Sequence, residues 1–486
     1  MMTVFLGLDL GTSGLRALLV DENGATVGAA EAAYDVQHPH PGWSEQDPAK
    51  WCAAVAATLA ELRQTHTAQM DALRGIGISG HMHGATLLDA QGAVLRPCIL
   101  WNDTRSHAEA AALDAAPKVR ELSGNIVFPG FTAPKLMWVA QHEPDVFARV
   151  DKVLLPKDYL GYWLTGQAVS EMSDAAGTSW LDVGARDWSD VLLEASGMRR
   201  DQMPRLIEGS AIAGPVSAAR AAALGLPEGG QVVGGGGDNA AAACGVGALN
   251  EGDGFVSLGT SGVLLAARDS FVPMPESAVH TFCHAIPGTW YQMGVILAAT
   301  DSLNWLSSVL EAKAADLSTA LGATITAPGS VRFLPYLSGE RTPHNDSAVR
   351  GAFLGLDIGT GREDLVRAVM EGVSFALRDN LEALRSTGAR LDRVLAIGGG
   401  ARSAYWVELL ATVLNLPVAL PDKGEFGAAL GAARLAICGV TGANPQDVMT
   451  PPDIASVIEP RADLVGAYEE GYTKFRAAYP ALKGLL

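Results

Sequence analysis

Cysteine is scarce in this 486-residue chain: there are five, and no C-x-x-C pair among them. An odd, widely spaced set (Cys52, Cys98, Cys244, Cys283, Cys438) makes no disulfide framework and suits free thiols in a reducing compartment. Positive charge is also short, with 35 Lys and Arg against 53 Asp and Glu for a net charge of −18. The average surface therefore repels a nucleic-acid polyanion, and no local basic patch offsets this. No apolar run approaches the ~18 residues a membrane-spanning helix needs. The opening MMTVFLGLDLGTSG has no basic segment and meets Asp9 after a short apolar run, so it reads as a strand rather than a secretion signal, and a cytoplasmic location is expected. The turn Gly7 to Gly11 does not give G-x-G-x-x-G, and there is no G-x-x-x-x-G-K-[ST], which leaves these loops without a dinucleotide or P-loop signature.

What the chain has is apolar residue, 48% of the total, and 55 glycines spread throughout, enough for large cores joined by many tight turns. At roughly 100–200 residues per domain the length allows two to four domains, and two large lobes are the simplest division. Val4 to Leu8 is an apolar run entering Gly11-Thr12-Ser13-Gly14, after which Leu15 to Asp21 resumes, a strand–loop–strand pattern with Asp9 near the end of its first strand. The same four letters recur at Gly259-Thr260-Ser261-Gly262, 248 residues later, between Gly254–Leu258 and Val263–Ala267. Self-similarity at half the chain length points to two lobes of one fold. A third look-alike, Gly355-Leu356-Asp357-Ile358-Gly359-Thr360-Gly361, leads into a helical pattern instead of a second strand and reads as a decoy.

Two further glycine runs follow apolar strands and precede helical patterns: Gly234 to Gly237 with Asp238 and Asn239, and Gly398-Gly399-Gly400 with Ser403. Glycine lets main-chain N–H groups approach an anion, and Thr and Ser hydroxyls add donors, so two such loops fit a grip on one phosphate chain. Asp9 and Asp238, at loop mouths, are then candidates for organising Mg²⁺ and for taking a proton from an attacking hydroxyl, the layout of a phosphotransferase. A turn acid at Asp9 and a helix cap at Asp238 are the plainer readings of the same letters. His81 and His83 lie two apart but lack a third metal ligand of suitable spacing. His280 and His284 have helical i, i+4 spacing without the Glu of a zinc motif, so packing is the default there. Trp101-Asn102-Asp103-Thr104-Arg105 suits either polyol recognition or a capped helix start.

Taken together, GLDLGTSG from Gly7, HPGWSEQDP from His40, SGHMHGATLLD from Ser79, ILWNDTR from Ile99, PGFTAPKLMWVAQHEP from Pro129, LLPKDYL from Leu154, SDAAGTSWLDV from Ser173, GGGDNAA from Gly235, SLGTSG from Ser257, FLPYLSGERTPHN from Phe333 and IGGGARS from Ile397 resemble the FGGY carbohydrate kinases over essentially the whole chain. The resemblance implies an α/β, actin-like (ribonuclease-H-like) fold of two duplicated lobes around a cleft, with residues 1–246 as the sugar-binding lobe and 247–486 as the nucleotide-binding lobe. It implies ATP and Mg²⁺, a ketose acceptor (D-xylulose first, ribulose or another polyol as alternatives), and leaves a homodimer open. Carried over by position, Asp238 is the general base and Asp9 organises Mg–ATP. Thr12, Ser13, Gly259, Thr260 and Ser261 line the phosphates, and Gly399, Gly400 and Ser403 lie near the adenosine. Met82, His83, Trp101, Asp238 and Asn239 meet the sugar. His81 stands where the family pattern has Gln. An actin-like binding ATPase that needs no sugar is the rival from another class.

Overall fold

The computed structural model describes residues 3–422 and 427–483. Two seven-stranded sheets organise the chain, and they share one plan. In the first, Val4–Leu10 pairs antiparallel with Gly14–Asp21, which pairs antiparallel with Thr26–Ala33. On its other side lie Leu73–Gly80 and then Gln231–Val233, both parallel, and Ile212–Pro215 antiparallel. In the second sheet Gly254–Leu258 takes the place of the first strand. Gly262–Arg268 and Trp290–Ile296 follow antiparallel on one side, and Val394–Ile397 and Val418–Pro421 parallel, then Ile454–Ile458 antiparallel, on the other. The two GTSG loops are therefore equivalent hairpin turns of a duplicated lobe. The central strands are buried almost continuously because helices cover both faces, which is why they read as apolar runs rather than as an alternation.

The decoy loop behaves as its sequence suggests: it is followed by the 25-residue helix Arg362–Ser386. The i, i+4 spacing of His280 and His284 is not helical in the structure, and both side chains are buried in packing, the expected default. His280–Cys283 is an edge strand paired antiparallel with Trp290–Ile296. Alternation puts His280 and Phe282 on one face, stacked at 5.3 Å, where packing against a neighbouring strand decides the conformation. Among the described residues no group of three or more His, Cys, Asp or Glu is placed to hold a metal ion. All five cysteines are free thiols.

The halves are separate as sheets but joined through a helix. Ala428–Thr441, from the second half, lies on strands Val4–Leu10 and Leu73–Gly80 of the first sheet and against helix Asp238–Val246. Glycine makes the approach close enough: a Cβ on Gly7 would lie 1.8 Å from the Ala429 carbonyl oxygen, and one on Gly431 would lie 1.7 Å from that of Ala241. Arg434 of the same helix donates to the carbonyls of Cys244 and Gly245 at 3.1 and 2.9 Å, satisfying groups that the end of helix Asp238–Val246 leaves open. The helix that starts with Asp238 is thus fixed from both ends of the chain. Gly431→Val is expected to lower the thermal midpoint by several degrees, since overpacking against backbone costs about 1–3 kcal/mol or more. Gly466→Ala, at an exposed helix position with nothing within 4 Å of the new methyl, should cause no loss. Equal midpoints for the two variants would contradict the close approach.

Candidate functional site

Strand register brings the two candidate carboxylates to one edge of the first sheet. Asp9 sits opposite Ser79, Ser79 opposite Gly236, and Gly80 opposite Gly237, so Asp238 emerges one residue beyond the strand end that flanks Asp9's neighbour. The carboxyl ends of such strands are where open α/β sheets bind ligands. Asp238 is the first residue of helix Asp238–Val246, and its Oδ1 accepts from the Asn239 backbone N–H at 2.7 Å and from Asn239 Nδ2 at 2.9 Å. Burial pushes its pKa up to about 6, against the pull of the Asn239 hydrogen bonds, and the negative charge of Asp9 adds to the rise. Burial also raises Asp9, opposed by a Ser79 hydrogen bond and by Arg16. The two acids are therefore close enough to feel each other, as their proposed division of labour requires.

On one flank of this pair lie the residues expected to meet a sugar. His83 takes a left-handed backbone (φ 70°) and stacks on Phe131 at 4.5 Å. Its Nδ1 is 2.7 Å from the Gly177 carbonyl oxygen, and burial pushes its pKa down to about 3, so the ring is neutral with the proton on Nδ1. Nε2 is left as an acceptor. Gly177 is required here, because a Cβ would lie 2.6 Å from the imidazole. Met82 is buried beneath Tyr291 of the second half, whose hydroxyl is 3.8 Å from its sulfur. Asp238 contributes to raising the Tyr291 pKa, so this tyrosine links the two halves at the site. Trp101 Nε1 donates to Thr12 Oγ1 at 3.0 Å, joining a residue of the sugar set to one of the phosphate set. His81, just before this pair, is buried edge-on to Trp51 at 5.8 Å, and both its ring nitrogens lack a hydrogen-bond partner.

The second-half loops also converge. Ser257 pairs with Ile397, which brings Gly259-Thr260-Ser261 and Gly398-Gly399-Gly400 to neighbouring strand ends. Gly398 (φ 91°) packs against the Leu258 carbonyl, and Gly400 against the Leu258 side chain, while a Cβ on Gly399 would meet nothing within 4 Å. The Gly259 carbonyl accepts from Thr300 N–H and Oγ1 at 2.9 and 2.8 Å, and the Thr260 carbonyl accepts from Ala299 N–H at 2.8 Å, which ties the loop to the start of helix Thr300–Val309. Ser403 caps helix Ala404–Leu414 through Trp406 N–H and shares a 2.8 Å hydrogen bond with Ser318. Ser13 is exposed at the tip of the first loop.

Several supporting residues carry no role in the sequence reading. Tyr34 holds the first loop from behind, its hydroxyl reaching the carbonyls of Gly11 and Gly14 at 2.5 and 3.0 Å. Buried Lys135 donates to the carbonyls of His83 and Gly130, both at 2.7 Å, and burial pushes its pKa down to about 7. Lys157 is surrounded by Asp158, Glu171 and Asp174 at 2.6, 3.5 and 3.6 Å. Glu171 accepts from Ser173, and Ser173 Oγ accepts from Gly237 N–H at 3.0 Å, so this cluster holds the residue before Asp238. The available signal was a charged residue inside otherwise apolar stretches, LLPKDYL and VSEMSDAA. Lys157→Met is expected to destabilise the protein by about 3–5 kcal/mol, because three buried carboxylates lose their cation. Urea unfolding checks this, and an unchanged midpoint would contradict the ion cluster.

Comparison with known proteins bears on the family and the fold. Residues 4–245 match the N-terminal domain of the FGGY family of carbohydrate kinases, and residues 254–440 match the C-terminal domain. The chain is 46% identical to the xylulose kinase of Escherichia coli (strain K12), covering 99% of this chain and 100% of that one. It is 47% identical to that of Klebsiella pneumoniae, covering 89% of each. Among solved structures, a xyloylose kinase from Brucella ovis superposes with a TM-score of 0.97 at 58% identity, covering 99% of this chain and 100% of that one. The xylulose kinase from Rhodospirillum rubrum does so at 0.90 and 30%, covering 99% of each.

Proposed function

The chain belongs to the FGGY family of carbohydrate kinases and is an ATP-dependent sugar kinase, and from that premise we propose that it transfers the γ-phosphoryl group of ATP to the 5-hydroxyl of D-xylulose, in the cytoplasm, where its five thiols stay reduced. The observation that carries the reading is Asp238, a carboxylate poised near neutrality at a strand end, beside a second acid and next to the Met82–His83 turn. The xylulose kinases to which the chain is similar supply the sugar.

In this reading Asp238 accepts the proton of the sugar hydroxyl as its oxygen bonds to the γ-phosphorus and the bond to the β-phosphate oxygen breaks. A base with a pKa near 6 is largely ionised at neutral pH yet still basic enough to share the proton. His83 Nε2, neutral and fixed by Gly177, accepts from a sugar hydroxyl. Trp101 holds the Thr12 hydroxyl, and the first-half loop together with Gly259-Thr260-Ser261 presents N–H and O–H donors to the phosphates. Phosphoryl transfer asks mainly for positioning and charge neutralisation, which two such loops supply. Asp9, with a raised pKa and a repelling neighbour, fits a divalent cation, which relieves that repulsion. Mg²⁺ bound there with ATP would neutralise phosphate charge.

Asp238→Asn should lower kcat by roughly 10²–10⁴ with little change in the KM for ATP. Near-normal turnover in a folded variant would reject the role. The pH dependence follows from the sign of the shift. The working form is the carboxylate and its pKa is raised, so activity is full above about 6 and falls as the pH drops through that value. A wild-type profile whose acid limb lies at the ordinary value near 4 would contradict this.

A further inference from the structure

Arg341 occupies an unusual place. It lies in the loop joining strands Arg332–Leu334 and Ala352–Leu354 of the second half, yet its guanidinium stands over the ring of Phe128 in the first half, 4.8 Å from the centroid. Phe128 contacts Phe131 at 5.5 Å, Phe131 carries the His83 imidazole at 4.5 Å, and His280 touches both phenylalanines. The guanidinium thus reaches the His83 side of the site from across the cleft.

The loop holds it there firmly. Thr342 exchanges hydrogen bonds with Val295, both at 3.1 Å, and its hydroxyl donates to the Ala278 carbonyl at 2.8 Å. Glu340 Oε1 accepts from Leu297 N–H and Arg341 N–H at 3.2 and 2.7 Å. Further along, His344 stacks on Tyr479 of the C-terminal helix at 3.7 Å. With its backbone fixed on both sides, the side chain itself forms no ion pair and donates no hydrogen bond among the described residues. A partly exposed guanidinium with five N–H donors and no protein acceptor is a recognition group in search of one.

Arg341 acts on His83, His280 and its loop neighbour Glu340, and it is not among the charges that act on Asp238. With the ring contacts from Phe128 through Phe131 to His83, this puts the cation nearer His83 than the general base. A ketose whose 5-hydroxyl meets Asp238 directs its carbonyl end the other way.

We infer that Arg341 is a specificity-determining residue, its guanidinium hydrogen-bonding the carbonyl end of the ketose, remote from the hydroxyl that Asp238 deprotonates. The inference rests on the proposed ketose substrate. Both the C2 carbonyl oxygen and the hydroxyl made by reducing it can accept from the guanidinium, but only the hydroxyl brings an O–H that a donor-only cation cannot accept, so the match favours the ketose.

Steady-state kinetics on the full-length enzyme test this with D-xylulose and with its C2-reduced counterparts, xylitol and D-arabinitol. Arg341→Met is expected to raise the KM for D-xylulose by roughly 10- to 100-fold, the loss of a charge-assisted hydrogen bond. The KM for ATP and kcat should stay within about threefold, and the preference for ketose over polyol should fall. Arg341→Lys, which keeps the charge but not the fork, should raise the sugar KM by about 3- to 10-fold, and this variant carries the test if the methionine one does not fold. Phe128→Leu, which removes the ring under Arg341 and trims its contacts with Phe131 and His280 while keeping an apolar side chain, should shift the sugar KM less than threefold. An unchanged sugar KM in folded Arg341 variants overturns the inference. So does a Phe128→Leu loss as large as that of Arg341→Met, which would make the arginine a latch between lobes. Failure of the wild type on D-xylulose would contradict the substrate assignment instead, and the same variants then test Arg341 on whichever ketopentose it phosphorylates.

Discussion

Two acids that repel each other, Asp9 and Asp238, are held at adjoining strand ends by the surrounding fold. Like charges in partly buried surroundings cost free energy unless a proton or a cation intervenes. That cost is sustained by the rest of the molecule: the glycine-lined approach of helix Ala428–Thr441, the Arg434 cap on helix Asp238–Val246, and the Lys157 cluster behind Gly237. Each acts on backbone near Asp238 and none touches the open side of its carboxylate. The site is strained electrostatically and rigid mechanically, as a base that must be both available and placed would be.

The duplication explains how one plan yields two tasks. Equivalent hairpin turns end at Gly11–Gly14 and Gly259–Gly262, but their surroundings diverge. The first turn is backed by Tyr34 and tied to Trp101, next to the His83 turn. The second adjoins the Gly398–Gly400 run, whose middle glycine faces open space. Large side chains thus surround His83, and small ones surround Gly399. Tyr291 and Arg341 reach back from the second half to Met82 and Phe128 of the first, so the halves meet there as well as along helix Ala428–Thr441.

Much of this was legible in the sequence because it is local. The GTSG hairpins, the strand before Gly234 and the helix after Asp238 all follow from apolar runs broken by glycine, and the structure keeps each. The decoy loop was separable because the residues after Gly361 carry a helical period. What the sequence did not disclose depends on contacts between distant segments. His280 and His284 have a helix-like spacing, yet pairing with Trp290–Ile296 makes their segment a strand. That His81, which stands where the family pattern has Gln, packs edge-on to Trp51 also depends on a distant segment. Lys135, Lys157 and Tyr34 act on carbonyls or carboxylates whose identity only folding reveals.

The most direct measurement of the central claim is a carbon-13 NMR titration of the aspartate carboxyls, in the wild type and in Asp9→Asn, with the Asp238 signal assigned by its loss in Asp238→Asn. The account predicts a carboxyl titrating near 6 in the wild type and at lower pH once the Asp9 charge is removed. An Asp238 signal that titrates near 4 in the wild type, or that does not move when Asp9 is neutralised, would contradict it.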